Sequence, residues 1–382
     1  MKITAIKTAV IVGVGPAVFV KVFTDEGLVG LGECYPSAPA SAIRDTIKHM
    51  SELLIGEDPR NVDMLYEKVR REYLFRGAQG GTVITALSGV EIALWDLTGK
   101  ALGVPVYRLL GGKFRDRIRI YADCHAGKDE SPAAYAEEAQ RVVALGYNAI
   151  KFDVDDINNP DKLDRWNWSV TPKELDGMVK RVEAVRDAVG PNVDIAIDMH
   201  ARYSIDAACK FAQAMEPLNL MWLEEPVPPE NIDALAKVRQ STRTPICVGE
   251  NAYTRFGYRD MFQKQATDIV MPDIMRMGGL SEARKVAYMA DLYYIPFAPH
   301  CVSSPVGMMG ACHVCASVPN FLTLEFHGLR RTHWADLVVG EGSIIQDGYV
   351  TVTDKPGLGV ELNDEVAKRH IHTRMGGGYF ED

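Results

Sequence analysis

Three runs near the start of the chain, around residues 2–12, 17–24 and 28–33, carry apolar residues with a strand period, as in Phe19-Val20-Lys21-Val22-Phe23. Turns at Gly15-Pro16 and Asp25-Glu26-Gly27 separate them. The period then lengthens. Residues 41–54, 61–74 and 82–99 read as helices, and in the last of these Val90, Ala93, Leu94 and Leu97 fall on one face. Strands followed by helices predict a compact α+β unit. From about residue 118 the pattern alternates: short β-rich runs at 118–123, 148–153, 193–198, 219–224, 245–250, 267–272, 294–299 and 321–325, with helical stretches between most of them. Regular alternation predicts a parallel sheet, and eight such strands predict a closed TIM-type barrel. The tail, with a strand-like run at 349–352 and the turn Pro356-Gly357-Leu358-Gly359, is expected to pack back on the first unit. The expected division is 1–115, 116–340 and 341–382.

Within the first hairpin, Gly13-Val14-Gly15-Pro16 resembles the opening of a dinucleotide-binding fingerprint. That fingerprint needs a third glycine opening a helix, and here Val18 stands there, inside a strand. A hairpin loop is the better reading. A length of 382 residues favours two domains, and an apolar fraction of 47% with 24% charged residues is a globular composition. The net charge of −9 argues against a nucleic-acid partner. The seven cysteines are odd in number and scattered, which predicts reduced thiols. MKITAIKTAV has no secretory pattern and the chain no long uncharged apolar run. A cytoplasmic location with no membrane partner is expected, and so is a homo-oligomer.

Polar residues recur where the eight predicted strands stop: Asp123, Lys151 with Asp153, Asp198 with His200, Glu224 with Glu225, Glu250, Asp273, His300 and Glu325. In a barrel these ends share one mouth. Any single acid there is as often only a helix cap; eight of eight is harder to dismiss. Asp198, Glu224 and Glu250 close successive strands 26 residues apart, and such carboxylates suit a hard dication such as Mg2+. Strand alternation turns Glu224 inward with Trp222 and leaves Glu225 the more doubtful ligand. His200 and His300 are candidates for proton transfer. Asp273, one strand before His300, is placed to orient that imidazole, which makes His300 the better base.

These residues, with Ala93-Leu94-Trp95-Asp96-Leu97, Gly99-Lys100, Leu109-Leu110-Gly111-Gly112, Gly278-Gly279 and Pro356-Gly357-Leu358-Gly359, resemble the enolase superfamily, mandelate racemase branch, over nearly the whole chain. The resemblance implies a (β/α)7β barrel under a capping domain built from both chain ends, and Mg2+ on Asp198, Glu224 and Glu250. It implies removal of the proton α to a substrate carboxylate to give a metal-stabilised enediolate. Glu325, if protonated, or Lys151 would add a hydrogen bond to the carboxylate. Where family racemases carry Lys-x-Lys, this chain has Lys151-Phe152-Asp153, so a two-base racemisation lacks a partner unless Asp153 substitutes. Asp198-Met199-His200 with a second histidine at 300 looks like the acid-sugar dehydratases of the galactonate and gluconate type. Carried over, His300 with Asp273 is the base and His200 the acid. Lys151 is then expected to bind the substrate carboxylate, and Asp153 either to bind a hydroxyl or to neutralise Lys151. Arg202 is a candidate for fixing hydroxyls, and Trp166 and Trp168 for covering a sugar chain, with surface and packing roles as the alternatives. Arg76 and His327 are further candidates. The loop at Gly15 is expected to hang over the mouth and meet the distal end of the substrate. A racemase, epimerase or other lyase on the same scaffold is the alternative function.

Overall fold

The computed structural model describes all residues except 37–38, 156–158, 160–161, 163, 341–342, 376–377 and 382. The chain opens with an antiparallel sheet of β1 (Ile3–Val12), β2 (Pro16–Thr24) and β3 (Val29–Glu33). Val12 pairs with Pro16, so the Gly13–Gly15 stretch is the hairpin tip. The helix Gly81–Leu102 lies across this sheet and is apolar on nearly every face, because sheet and barrel cover it from opposite sides. Glycines in β3 allow the contact: a Cβ on Gly32 would stand 2.1 Å from the carbonyl oxygen of Gly89.

Six parallel strands follow, β4 (Arg117–Asp123), β5 (Ala149–Asp153), β6 (Asp194–Asp198), β7 (Trp222–Glu224), β8 (Ile246–Val248) and β9 (Ile269–Val270), and β10 (Leu324–Phe326) pairs with β4. The seventh predicted strand, 294–299, is reduced to single bridges from Phe297 to Val270 and to Phe321. Pro296 and Pro299 lack the N–H groups that a longer ladder requires. These contacts complete the ring. Its interior is filled by Tyr121, Ala149, Ala196, Trp222, Cys247, Ile269, Met271 and Ala298, with Tyr121 edge-on to Trp222 at 5.1 Å, so the barrel is a packed core and the chemistry sits above it.

The tail departs from expectation. Its hairpin, β11 (Ile345–Gln346) and β12 (Tyr349–Thr351), pairs antiparallel with the first half of β4 and so extends the barrel sheet. Only beyond it does the chain return to the first unit, where Gly357 bridges Pro105 and Ile371 bridges Ile11. Buried carboxylates clamp the two units. Glu33 accepts from Ser304 N at 2.8 Å and Gly307 N at 2.8 Å, at the start of the barrel helix Pro305–Ser317. Glu91 accepts from Leu280 N at 2.8 Å and Ser281 N at 2.9 Å, at the start of the helix Gly279–Asp291. Carboxylates at helix N-termini satisfy otherwise unpaired N–H groups and complement the helix dipole. No described helix is long and apolar enough to cross a membrane.

Candidate active site

β6 and β7 pair in register, which sets Asp198 directly beside Glu224. Trp222 Nε1 donates to Glu224 Oε2 at 3.0 Å, so Glu224 is turned into the barrel as alternation requires. Lys151, from β5, is 2% exposed, and its Nζ lies 2.7 Å from Glu224 Oε1, 3.3 Å from Asp198 Oδ2 and 2.5 Å from Glu325 Oε1. An ammonium has three N–H donors. All three are engaged by carboxylates in this arrangement, so the substrate carboxylate that Lys151 is expected to bind would have to share or displace one of them.

The condition set on Glu325, that it be protonated to donate to the substrate carboxylate, is not met in this arrangement. Glu325 accepts from Cys301 N at 2.8 Å and lies 3.0 Å from His327 Nε2. Burial alone would raise its pKa, but His300, Lys151 and His327 hold the carboxyl far below the usual range. It is an acceptor.

The two predicted histidines flank this cluster with matching geometry. His300 Nδ1 lies 2.6 Å from Asp273 Oδ2 and its Nε2 lies 2.8 Å from Glu250 Oε2. His200 Nδ1 lies 2.9 Å from Asp155 Oδ1 and its Nε2 lies 3.5 Å from Asp198 Oδ2. Burial would lower both imidazole pKa values, yet the surrounding acids win: His300 is pushed well above its ordinary value and His200 up to about 9. Glu225 accepts from Gly249 N at 2.8 Å, and its other oxygen is buried without a hydrogen-bond partner.

The donor set fits a hard dication. Burial and then the neighbouring Asp198 push Glu224 well above the carboxylate range, and burial and then Glu250 push Glu225 to about 8. More carboxylate is gathered here than Lys151 and His300 compensate. Asp198, Glu224 and Glu250 are nevertheless not the tightest group. Among the described residues the sets with donor atoms within 4.8 Å of one another are His300–Glu325–His327, Asp123–His125–Asp153 and Asp153–Asp198–His200. Lys151 stands between Asp198 and Glu224, and Glu250 is turned to His300.

The outlying candidates separate. Asp153 faces His125 Nδ1 at 3.5 Å rather than Lys151, and burial raises its carboxyl to about 6. Arg202 is half exposed and pairs with Asp155 at 2.7 Å. Trp166 is 72% exposed and, with Trp168, Arg202 and Tyr203, lines a cavity of about 220 Å³ beside Asp155. Gly13 reaches Ser304, to which a Cβ there would stand 3.3 Å, and Gly15 meets Pro36; the hairpin tip therefore rests against the loop that follows His300. Arg76 stacks on Tyr73. His327 is inside the site: its Nδ1 lies 3.1 Å from Asp123 Oδ2, whose other partner is His125 Nε2 at 2.8 Å. Asp155 and His125 escaped the sequence reading. A signal for Asp155 was present, since residues 151, 153 and 155 continue the period of two past the strand end.

A ring of strand-end acids and imidazoles above a packed barrel, closed by a separate sheet-and-helix unit, defines an enolase-type architecture. Residues 3–111 match the mandelate racemase/muconate lactonizing enzyme N-terminal domain and residues 134–366 match the enolase C-terminal domain-like family. The chain belongs to this enzyme family. It is 45% identical to a D-xylonate dehydratase of Haloferax volcanii over 97% of this chain and 89% of that protein. It is 34% identical to a D-galactonate dehydratase of Variovorax paradoxus, over 96% and 93%. The crystal structure of a mandelate racemase/muconate lactonizing enzyme-like protein from Rubrobacter xylanophilus matches with a TM-score of 0.96 at 54% identity, over 99% of both chains.

Proposed function

We propose that the protein is a Mg2+-dependent dehydratase of an aldonate-type acid sugar, yielding a 2-keto-3-deoxy acid. One observation carries the reading: two imidazoles flank one carboxylate cluster, each with Nδ1 on its own carboxylate, at 2.6 Å for His300 and 2.9 Å for His200, and Nε2 toward the cluster. Elimination needs a base and an acid, and racemisation needs two bases. Asp153 stands where a second lysine base is expected. Relatives named D-xylonate and D-galactonate dehydratase support the same reaction class.

Asp198, Glu224 and Glu250 are the proposed ligands, and Mg2+, which binds a few carboxylates while keeping sites for water and substrate, would stabilise the negative charge that develops on the substrate carboxylate. His300 Nε2, once it has released the proton it shares with Glu250, takes the C2 proton. Asp273 holds the proton on Nδ1 and stabilises the imidazolium that forms. The electron pair of the broken C–H bond passes into the carboxylate, giving an enediolate. Its collapse breaks the C3–oxygen bond, and His200, cationic near neutral pH, gives its proton to the departing hydroxyl, which leaves as water. The remaining enol takes a proton at C3 from solvent, gives up the proton of its C2 hydroxyl to solvent, and becomes the 2-keto acid. Lys151 and Glu325 balance the charge beneath these groups.

Incubation with Mg2+ and a panel of aldonic and aldaric acids that includes D-xylonate, D-galactonate and D-gluconate tests the reading. A 2-keto-3-deoxy product from at least one aldonate is expected. No product from any acid sinks it, and C2 exchange in deuterated water without loss of hydroxyl would favour an epimerase instead.

A further inference from the structure

Asp155 lies two residues beyond Asp153 and is 6% exposed, although it stands past the end of β5. Both of its oxygens are committed: Oδ1 lies 2.9 Å from His200 Nδ1, and Oδ2 lies 2.7 Å from Arg202 Nη1. Arg202 also donates to the Asp155 carbonyl at 3.2 Å. The arrangement closes a small ring of side chains. Within it, a carboxylate on Nδ1 keeps a proton there and leaves Nε2 as the atom directed toward Asp198, 3.5 Å away.

The turn that presents His200 is a strained one. His200 has φ 46° and Ala201 φ 55°, two consecutive non-glycine residues in the left-handed region. Side chains with a Cβ rarely adopt this conformation. His200 N donates to Asp198 Oδ1 at 2.7 Å and Ala201 N to Glu225 O at 2.7 Å, so the backbone is held by the same strand ends that carry the acids. Those bonds fix the Cα and leave the ring free to turn about its side-chain torsions. Asp155 is what fixes the ring. The construction repeats at His300, where Asp273 lies 2.6 Å from Nδ1.

We infer that Asp155 is a positioning residue for His200: it holds the imidazole with Nε2 toward the leaving hydroxyl, and so governs loss of water without taking part in removal of the C2 proton. The inference rests on the dehydratase reading. Asp155→Asn removes the carboxylate oxygen that accepts from His200 Nδ1, and its amide nitrogen competes with Arg202 or with Nδ1 for the same position. Elimination is expected to fall about 10²–10³-fold, the lower part of the 10²–10⁴-fold range of a lost acid–base contribution, because His200 itself remains. C2 exchange in deuterated water should stay within about threefold of wild type, because His300 and Asp273 are untouched. Asp155→Glu, which keeps a carboxylate, should recover part of the lost elimination.

The readout is the ratio of exchange to elimination on the aldonate that the wild-type enzyme turns over fastest. Partial unfolding lowers both rates equally and leaves the ratio unchanged. His200→Asn is the control. If His200→Asn eliminates water normally, the role of His200 fails, and that of Asp155 with it; no elimination by the wild-type enzyme would instead overturn the dehydratase reading. If His200→Asn exchanges without eliminating while Asp155→Asn and Asp155→Glu keep the wild-type ratio, or lose both activities in parallel, the reading stands and the role of Asp155 is overturned.

Discussion

Lys151→Met retains most of the side-chain volume and removes the ammonium from beneath three carboxylates. In the wild-type protein the Nζ is 2.7 Å from Glu224, 3.3 Å from Asp198 and 2.5 Å from Glu325. Removing one partner from a buried ion pair costs about 3–5 kcal/mol, because the remaining charge is left uncompensated. Three acids share this one cation, but the loss should stay within that range because Glu224, already shifted far upward by burial and by Asp198, can take up a proton. The metal-free variant should therefore unfold at lower urea concentration by an equivalent of about 3–5 kcal/mol with little change in slope. A dication at the same acids substitutes for the missing charge and binds more tightly when the ammonium is absent. Ligand at a hundred times its dissociation constant adds about 2.7 kcal/mol. Paired urea titrations in chelator and in excess Mg2+ should show a larger metal-induced gain for Lys151→Met than for wild type. Equal stability in chelator, together with an equal gain from Mg2+, would refute the argument that Lys151 compensates the metal-binding acids.

Glu91→Gln keeps the shape of the clamp but replaces an acceptor oxygen with an NH2 group, although both oxygens are in use by Leu280 N, Ser281 N and Trp95 Nε1 at 2.8, 2.9 and 2.7 Å. A buried donor left unpaired costs about 1–3 kcal/mol, and the urea midpoint should fall accordingly. His313 is buried, with its Nδ1 accepting from Tyr107 N at 3.2 Å and its Nε2 3.1 Å from Leu358 O. Burial lowers its pKa to about 4, so the unfolded chain binds a proton that the folded chain refuses. The stability it contributes is complete above about pH 6.5 and is lost as pH falls toward 4; between pH 7 and 5 wild type should lose about 2 kcal/mol more than His313→Gln. A flat difference between the two would remove His313 from the acid response. Asp273→Asn preserves the packing around His300 but permits the wrong tautomer. C2 exchange should drop about 10²–10⁴-fold, measured by NMR loss of the C2 proton signal.

The barrel was readable because its strands end on chemistry. Asp198, Glu224, Glu250, His200 and His300 each stop a short apolar run, and local periodicity was enough to bring them to one mouth. The pairing of Asp273 with His300 was readable too, since the two close neighbouring strands. Other features depend on the closed ring. His327 meets Asp123 only because β10 returns to pair with β4, a contact between residues 204 apart in the chain. The engagement of every Lys151 donor is a count of acceptors in three dimensions, which one-dimensional spacing does not carry. Asp155 lay beyond the strand end, where alternation is normally no longer trusted. The strand period of the tail pointed to the first unit, but the free edge at the start of β4 took the hairpin.

The division of labour between the two imidazoles is tested most directly by following one aldonate in deuterated water with His300→Asn and His200→Asn side by side. Loss of both C2 exchange and elimination in His300→Asn, with exchange retained and elimination lost in His200→Asn, is the predicted result. Exchange that survives without His300 and disappears without His200 would contradict it.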